Sequence, residues 1–320
     1  MTDDQARRIP RTVAFGLAFV AGLAMSLQAH INGELGTALG SGIVAATLSF
    51  GGGVLLLVIG AAVSGRMRNG LVAIRAAIST QKTSWSFTLA GAAGAAFVLS
   101  QSTVAPILGL GLFTVAFVCG LTMGGLLIDR WGVGPAGRKA ITPLRLVGAA
   151  LGVCAVVIAS WGALSTQVFS MGIFLPVACG VAVAWQQAAN GRLTSVGHNA
   201  WSTTFINFSV GFGVLLLGSA TVVEITRPAV NFPTNPLLYM GGPVGIVFIA
   251  IASIVVRHIG ILVYGLCATT GQLASAVAFD VADPTGGGID ASLVTAVIIV
   301  ATGAALASLS GLRHKGRSGA

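Results

Sequence analysis

Ten stretches of about twenty mostly apolar residues follow one another along this chain, and that succession limits its possible folds more than any other feature. A helix rises about 1.5 Å per residue, so about twenty residues cross the roughly 30 Å hydrocarbon core of a bilayer. The stretches are 12–33, 41–62, 85–103, 105–128, 143–163, 168–190, 200–222, 237–256, 258–279 and 291–311. Runs such as Val54-Leu55-Leu56-Leu57-Val58-Ile59 do not alternate apolar with polar, which excludes strands of a membrane barrel and leaves helices. Of the 320 residues 8% are charged and 55% hydrophobic; a soluble domain carries about 25% charged residues, so this chain could not cover a surface against water. The fold class expected is an all-α membrane protein with ten transmembrane helices. The very short connections between segments three and four, and eight and nine, predict antiparallel helical hairpins.

The net charge of +9 would suggest nucleic acid on a soluble protein. Here the basic residues lie in loops between apolar runs with no aromatic interleaving, so they are read as orienting the chain in the membrane, and no nucleic-acid partner is expected. With both termini cytoplasmic, ten crossings put every Lys and Arg on the cytoplasmic side except Arg227. Arg7, Arg8 and Arg11 before the first apolar run imitate a secretory signal, but nine further runs follow and no small-residue cleavage site ends the first, so an uncleaved helix is expected. Cys119, Cys154, Cys179 and Cys267 lie inside apolar runs without CxxC spacing and read as small buried hydrophobes.

The chain repeats itself. At an offset of 158, Gln28, Asn32, Gly33, Leu35, Phe50, Gly53, Leu57 and Gly60 meet Gln186, Asn190, Gly191, Leu193, Phe208, Gly211, Leu215 and Gly218. At an offset of 151, Gly91, Gly94, Phe97, Gly109, Gly120 and Asp129 meet Gly242, Gly245, Phe248, Gly260, Gly271 and Asp280. The second unit is therefore seven residues shorter between its second and third helices. Five crossings per unit is odd, so the second unit enters from the opposite side, giving two inverted five-helix repeats. Inverted repeats underlie many secondary transporters, because each half can take the other's conformation. The expected division is a cytoplasmic tail 1–11, a first five-helix repeat 12–163, a second repeat 168–311 and a basic cytoplasmic tail 312–320.

The residues also resemble a known family. Gln28xxxAsn32xxLeu35-Gly36, the hairpin VAPILG at 104–109, IDRWG at 128–132 and PLRL at 143–146 are similar to the YdcZ branch of the drug/metabolite transporter superfamily. The second half carries its own version in NGRL, RHIG and GQLASAVAFD. The resemblance covers nearly the whole chain and implies a ten-helix fold, a central cavity between the halves and an inner-membrane exporter. It names no substrate. His30 stands where that branch often has proline, and Leu121 stands where the second half has Gln272.

Polar groups at membrane depth are costly, so they mark candidate sites. Gln28 and Asn32 share one helix face, as do Gln186 and Asn190. They read either as lining the two ends of one pathway or as helix–helix hydrogen bonds, and both hold if the pairs form gates. Further candidates for substrate contact are Gln101, Asn207, Tyr264 and Gln272, with Gln272 the first choice. Trp185 reads as a stacking surface or an interfacial anchor. His30 and Glu34 are candidates for proton or cation coupling, with Glu34 equally readable as a solvated residue past the helix end. Asp129 and Asp280 end equivalent helices, where a carboxylate opposes the helix dipole; capping a neighbouring helix or pairing with Arg130 or Arg145 would account for that placement.

No GxxxxGK[ST] loop is present, and no helix carries Lys, Arg, Asp or Glu at its centre. A small neutral, zwitterionic or amphiphilic substrate is therefore expected, bound by dipoles and aromatic faces. His30, His198, His258 and His314 are scattered, so neither an enzyme, a metal site nor a cofactor is expected. The oligomeric state stays open, with a homodimer among the options. The leading reading is an exporter working by alternating access. A flippase for a lipid or lipid-linked precursor, and a non-transporting assembly subunit, are the alternatives.

Overall fold

The computed structural model describes residues 9–108, 110–159, 161, 171–226, 232–282 and 291–313. Among these the chain is all-α, in eleven α-helices: α1 (Arg11–Leu39), α2 (Gly42–Val63), α3 (Gly65–Ser79), α4 (Ala90–Leu108), α5 (Leu110–Trp131), α6 (Pro143–Ala159), α7 (Phe174–Gly197), α8 (Ala200–Thr226), α9 (Gly241–Ile259), α10 (Ile261–Ala282) and α11 (Ala291–Arg313). Each of the ten apolar segments is mostly helical over its described residues. Six of the helices, α1, α2, α5, α8, α9 with its preceding 3-10 turn, and α11, are long and apolar enough to cross a membrane by length and composition alone.

Two local differences from the sequence reading matter. The first helix does not stop near residue 33. It runs to Leu39 and ends at Gly40, whose φ of 69° is left-handed and favours glycine. Glu34 is therefore inside the helix rather than beyond it. The second difference is α3, an element additional to the ten segments. It occupies the stretch that the second unit shortens. Met67, Gly70, Ile74 and Ala77 are buried on one face, while Arg66, Arg68 and Arg75 are exposed. Ser64 accepts the Met67 amide at its start, and Arg68 donates to the Ala61 carbonyl at the end of α2, 2.8 Å away. That is the position where a cation offsets the unpaired carbonyls of a helix end.

The helices pair in a pattern with internal symmetry. α1 packs on α9 and α10, and α7 packs on α4 and α5; α2 packs on α8 and α9, and α8 on α2 and α4; α6 packs on α11. Exchanging α1, α2, α4, α5 and α6 with α7, α8, α9, α10 and α11 leaves this pattern unchanged. Glycines make the closest crossings. A Cβ on Gly22 would collide with the Ala268 carbonyl, and one on Gly271 with the Phe19 carbonyl; a Cβ on Gly180 would collide with the Phe117 carbonyl, and one on Gly120 with the Val177 carbonyl. These crossings are images of one another at the offsets of 158 and 151. On the α2–α8 contact Phe50 and Phe208, also images, stack with ring centroids 4.9 Å apart.

Alanine at Gly22 or Gly180 must push two helix backbones apart. Each substitution should destabilise the purified protein by about 1–3 kcal/mol, the usual cost of overpacking. Gly16→Ala is the control, because nothing lies within 4 Å of its added Cβ. Thermal unfolding in detergent checks this: a Gly22→Ala midpoint equal to that of Gly16→Ala would refute the tight crossing.

Candidate functional site

Polar side chains gather at two places. The first lies between α7 and α8. Gln186 and Asn190 are one turn apart on α7, and Asn207 of α8 reaches both. Gln186 Nε2 donates to Asn207 Oδ1 at 3.3 Å, and Asn207 Nδ2 donates to Asn190 Oδ1 at 3.1 Å. All three are buried, at 5%, 1% and 2% exposure for Gln186, Asn207 and Asn190. Thr194 Oγ1 donates to Thr203 Oγ1 at 2.9 Å a turn further on. The first turns of α4 back the cluster: a Cβ on Gly94 would lie 3.0 Å from Gln186 Nε2.

The second place lies between α1, α2 and the start of α9. Gln28 Nε2 donates to the Gly241 carbonyl at 3.0 Å. Asn32 Oδ1 and Ser49 Oγ are enclosed beside Gly241, and neither has a hydrogen-bond partner among the described residues. Ser49 was not singled out in the sequence. Its signal was its register, since it stands 158 residues before Asn207. Gln187 was missed as well; it is 8% exposed with its Oε1 unpartnered.

The remaining candidates are dispersed. Gln272, at the middle of α10, is half-buried, and its Nε2 makes a weak contact with Met25 Sδ at 4.0 Å. Gln101 is half-buried on α4. Trp185 is half-buried, its ring 6.4 Å from that of Phe87. Tyr264 is enclosed in the apolar core at 1% exposure. His30 Nε2 and Glu34 Oε1 lie 3.4 Å apart on an exposed face of α1. Two hollows, of about 430 and 320 Å³, are walled mainly by apolar side chains, and none of the candidate residues lines either.

The one buried charge cluster described is at the end of α5. Asp129 is 2% exposed. It pairs with Arg145 Nη2 and accepts the first amides of α10, from Ile261 at 3.0 Å and Leu262 at 3.4 Å. Of the accounts open to Asp129 in sequence, capping a neighbouring helix and pairing with Arg145 both hold. The α9–α10 corner that presents those amides turns at Gly260, with φ of 85°. Lys139 Nζ donates to the Ile259 carbonyl at the same corner, 3.3 Å away. Burial holds the Lys139 ammonium below the usual lysine range; the Asp129 carboxylate opposes this, and Arg145 and Arg11 add to it. Arg192 Nε and Nη2 donate to the Val133 and Gly132 carbonyls, which fastens the loop after α5 to the end of α7. The Asp280 side chain lies outside the described residues.

This arrangement of helices has known relatives. The family model described as "Putative inner membrane exporter, YdcZ" matches residues 13–158 and 171–306. The chain belongs to the YdcZ family of drug/metabolite transporters. A crystal structure of another protein shares the fold at a TM-score of 0.65 and 19% identity, covering 95% of this chain and 98% of that one. No curated protein matches the sequence. YdcZ membership makes this chain a multi-pass inner-membrane protein with a secondary transporter function, not an enzyme.

Removing one partner of a buried ion pair strands the other charge, which costs about 3–5 kcal/mol, whereas an apolar pair of similar volume is often neutral. Asp129→Ala should therefore lower the unfolding midpoint strongly, and Asp129→Leu combined with Arg145→Met should recover part of the loss. If the double variant is no better than Asp129→Ala, the capping of α10 rather than the ion pair carries the stability.

Proposed function

We propose that this YdcZ-family protein exports a small neutral, zwitterionic or amphiphilic metabolite or drug by alternating access. Its ten apolar helices form two inverted five-helix repeats, α1, α2, α4, α5 and α6 against α7 to α11. α3 lies on the cytoplasmic surface, and both termini are cytoplasmic. The observation that supports this most is the interchangeable packing of the two halves. A chain whose halves make the same contacts in swapped roles can hold a path closed at one end and then at the other.

Gln272 is the proposed substrate contact. It sits mid-helix, and its amide makes no stronger polar contact among the described residues than the one to Met25, so a ligand finds a donor and an acceptor there. Gln101 and Trp185 are secondary contacts, and the Gln28–Asn32 and Gln186–Asn190 pairs stand toward opposite ends of the path. Tyr264, enclosed in the core, is given no such role. His30 and Glu34 form a pair at the exposed end of α1, where proton or cation coupling would act on entry rather than at the centre. No nucleic acid, metal or cofactor takes part in this proposal.

One observation favours a flippase as the second reading. The hollow of about 430 Å³ lies among α2, α3, α8 and α9, and its lips Leu56, Val63 and Trp201 are exposed apolar residues. A lateral groove of that kind suits an acyl chain.

Metabolite profiling of cells lacking or overproducing the protein should find the cargo, and uptake into liposomes should reproduce its movement. Gln272→Leu should then abolish most transport while leaving membrane insertion intact; normal rates in that variant remove Gln272 from the path. Fluorescent-lipid scrambling by protein liposomes, without movement of any soluble metabolite, would transfer the reading to the flippase. Cysteines at R75C and R138C should react from the cytoplasmic side alone, and reaction from outside would reverse the topology.

A further inference from the structure

The two polar clusters occupy the same positions in the two halves. Gln28, Asn32 and Ser49 stand 158 residues before Gln186, Asn190 and Asn207. Each set faces a glycine-lined first turn, on α9 through Gly241 and Gly245 and on α4 through Gly91 and Gly94. Two of the three positions hold the same residue and the third does not: Ser49 replaces Asn207.

That one difference accounts for the hydrogen bonding. An asparagine amide has a donor arm and an acceptor arm. Asn207 takes a bond from Gln186 on its oxygen and gives one to Asn190 from its nitrogen, closing a chain between α7 and α8. A serine hydroxyl is shorter and has one proton. Around Ser49 the chain is not made: Asn32 Oδ1 and Ser49 Oγ have no hydrogen-bond partner among the described residues, and the Gln28 amide goes to the Gly241 backbone instead. The helices follow suit. Gln186, Gln187, Ala188, Ala189, Asn190 and Gly191 are all buried, while their counterparts from Gln28 to Gly33 are half-buried or exposed.

We infer that Gln186, Asn207 and Asn190 form a latch that holds the α7 end of the path shut, that Gln28, Ser49 and Asn32 are its incomplete counterpart at the α1 end, and that the residue pair Asn207/Ser49 sets the balance between the two closed states. This rests on the alternating-access reading above and deepens it. Opening the α7 end requires breaking both amide–amide bonds. Closing the α1 end gains fewer, so the protein at rest favours the state in which the α7 end is sealed. Gln186, Asn190 and Asn207 are then positioning residues, acting on helix movement rather than on cargo.

Hydrogen–deuterium exchange of the full-length protein in lipid nanodiscs tests this without any substrate. Asn207→Ser gives both ends the same residues. It should speed exchange of the 186–197 segment about thirtyfold, the factor expected for the loss of both hydrogen bonds of the Asn207 amide, and slow that of 28–39, because populating one open end depopulates the other. Ser49→Asn should likewise slow 28–39 and speed 186–197. A local packing role predicts faster exchange at the mutated end with no answer from the opposite end, and that result overturns the latch. If Asn207→Ser does not give monodisperse protein, Ser49→Asn decides alone, since it leaves the α7 cluster intact. Reciprocal exchange together with no cargo movement in liposomes would keep the two-state latch and defeat the exporter reading; cargo movement without reciprocity would do the reverse.

Discussion

Close approach of helix backbones at glycine is the contact on which the rest of this structure depends. Between two helices in lipid, apolar burial gives little net drive, because the lipid tails are as apolar as leucine. What remains is dense van der Waals contact, which is available only where side chains do not intervene. Gly22 and Gly271 provide it between α1 and α10, Gly120 and Gly180 between α5 and α7, and Gly148 and Gly303 between α6 and α11. The polar clusters follow from the same device. Gly91 on α4 and Gly242 on α9 bring these helices against the Asn207 and Ser49 carbonyls, and so fix the depth at which the neighbouring amides can meet.

Charge is handled differently. Asp129 and Arg145 are buried, but their bonds run to each other and to the start of α10. A buried ion pair adds little net stability, while losing either member is severe. The pair therefore specifies how α5, α6 and α10 are joined at one end of the bundle. The two α10 amides that Asp129 accepts explain why a carboxylate can sit at the unfavourable end of α5: it is at the favourable end of α10 at the same time.

Much of this was legible in the sequence. Hydropathy located the apolar helices, and the repeat offsets paired Gly120 with Gly271 and Gly91 with Gly242, but which backbone each of these glycines meets is set by packing. The dipole argument correctly made Asp129 look out of place and named Arg145 among its possible partners. What was not legible is how the polar residues pair. Gln186 and Asn190 show a spacing on one helix, but the third member of the cluster comes from another helix, and only three-dimensional packing selects Asn207 over other polar residues of α8. The end of α1 was misjudged because polar residues after 33 resemble a loop, whereas a helix leaving the bilayer keeps its backbone bonds until a glycine such as Gly40 ends it. α3 escaped notice because a short amphipathic helix buries only four residues on one face, too few to stand out from a basic loop.

The departures from the repeat carry as much meaning as the repeat. Two identical inverted halves would give two closed states of equal energy, and neither would be preferred at rest. Here three differences lie at the α7 end: α3 packs on the end of α7, Arg192 clasps the loop after α5, and Asn207 completes a hydrogen-bonded chain that Ser49 does not. On the alternating access proposed above, each one would favour the same closed end. The residues shared by the two halves would then make two conformations possible, and the unshared ones would choose between them.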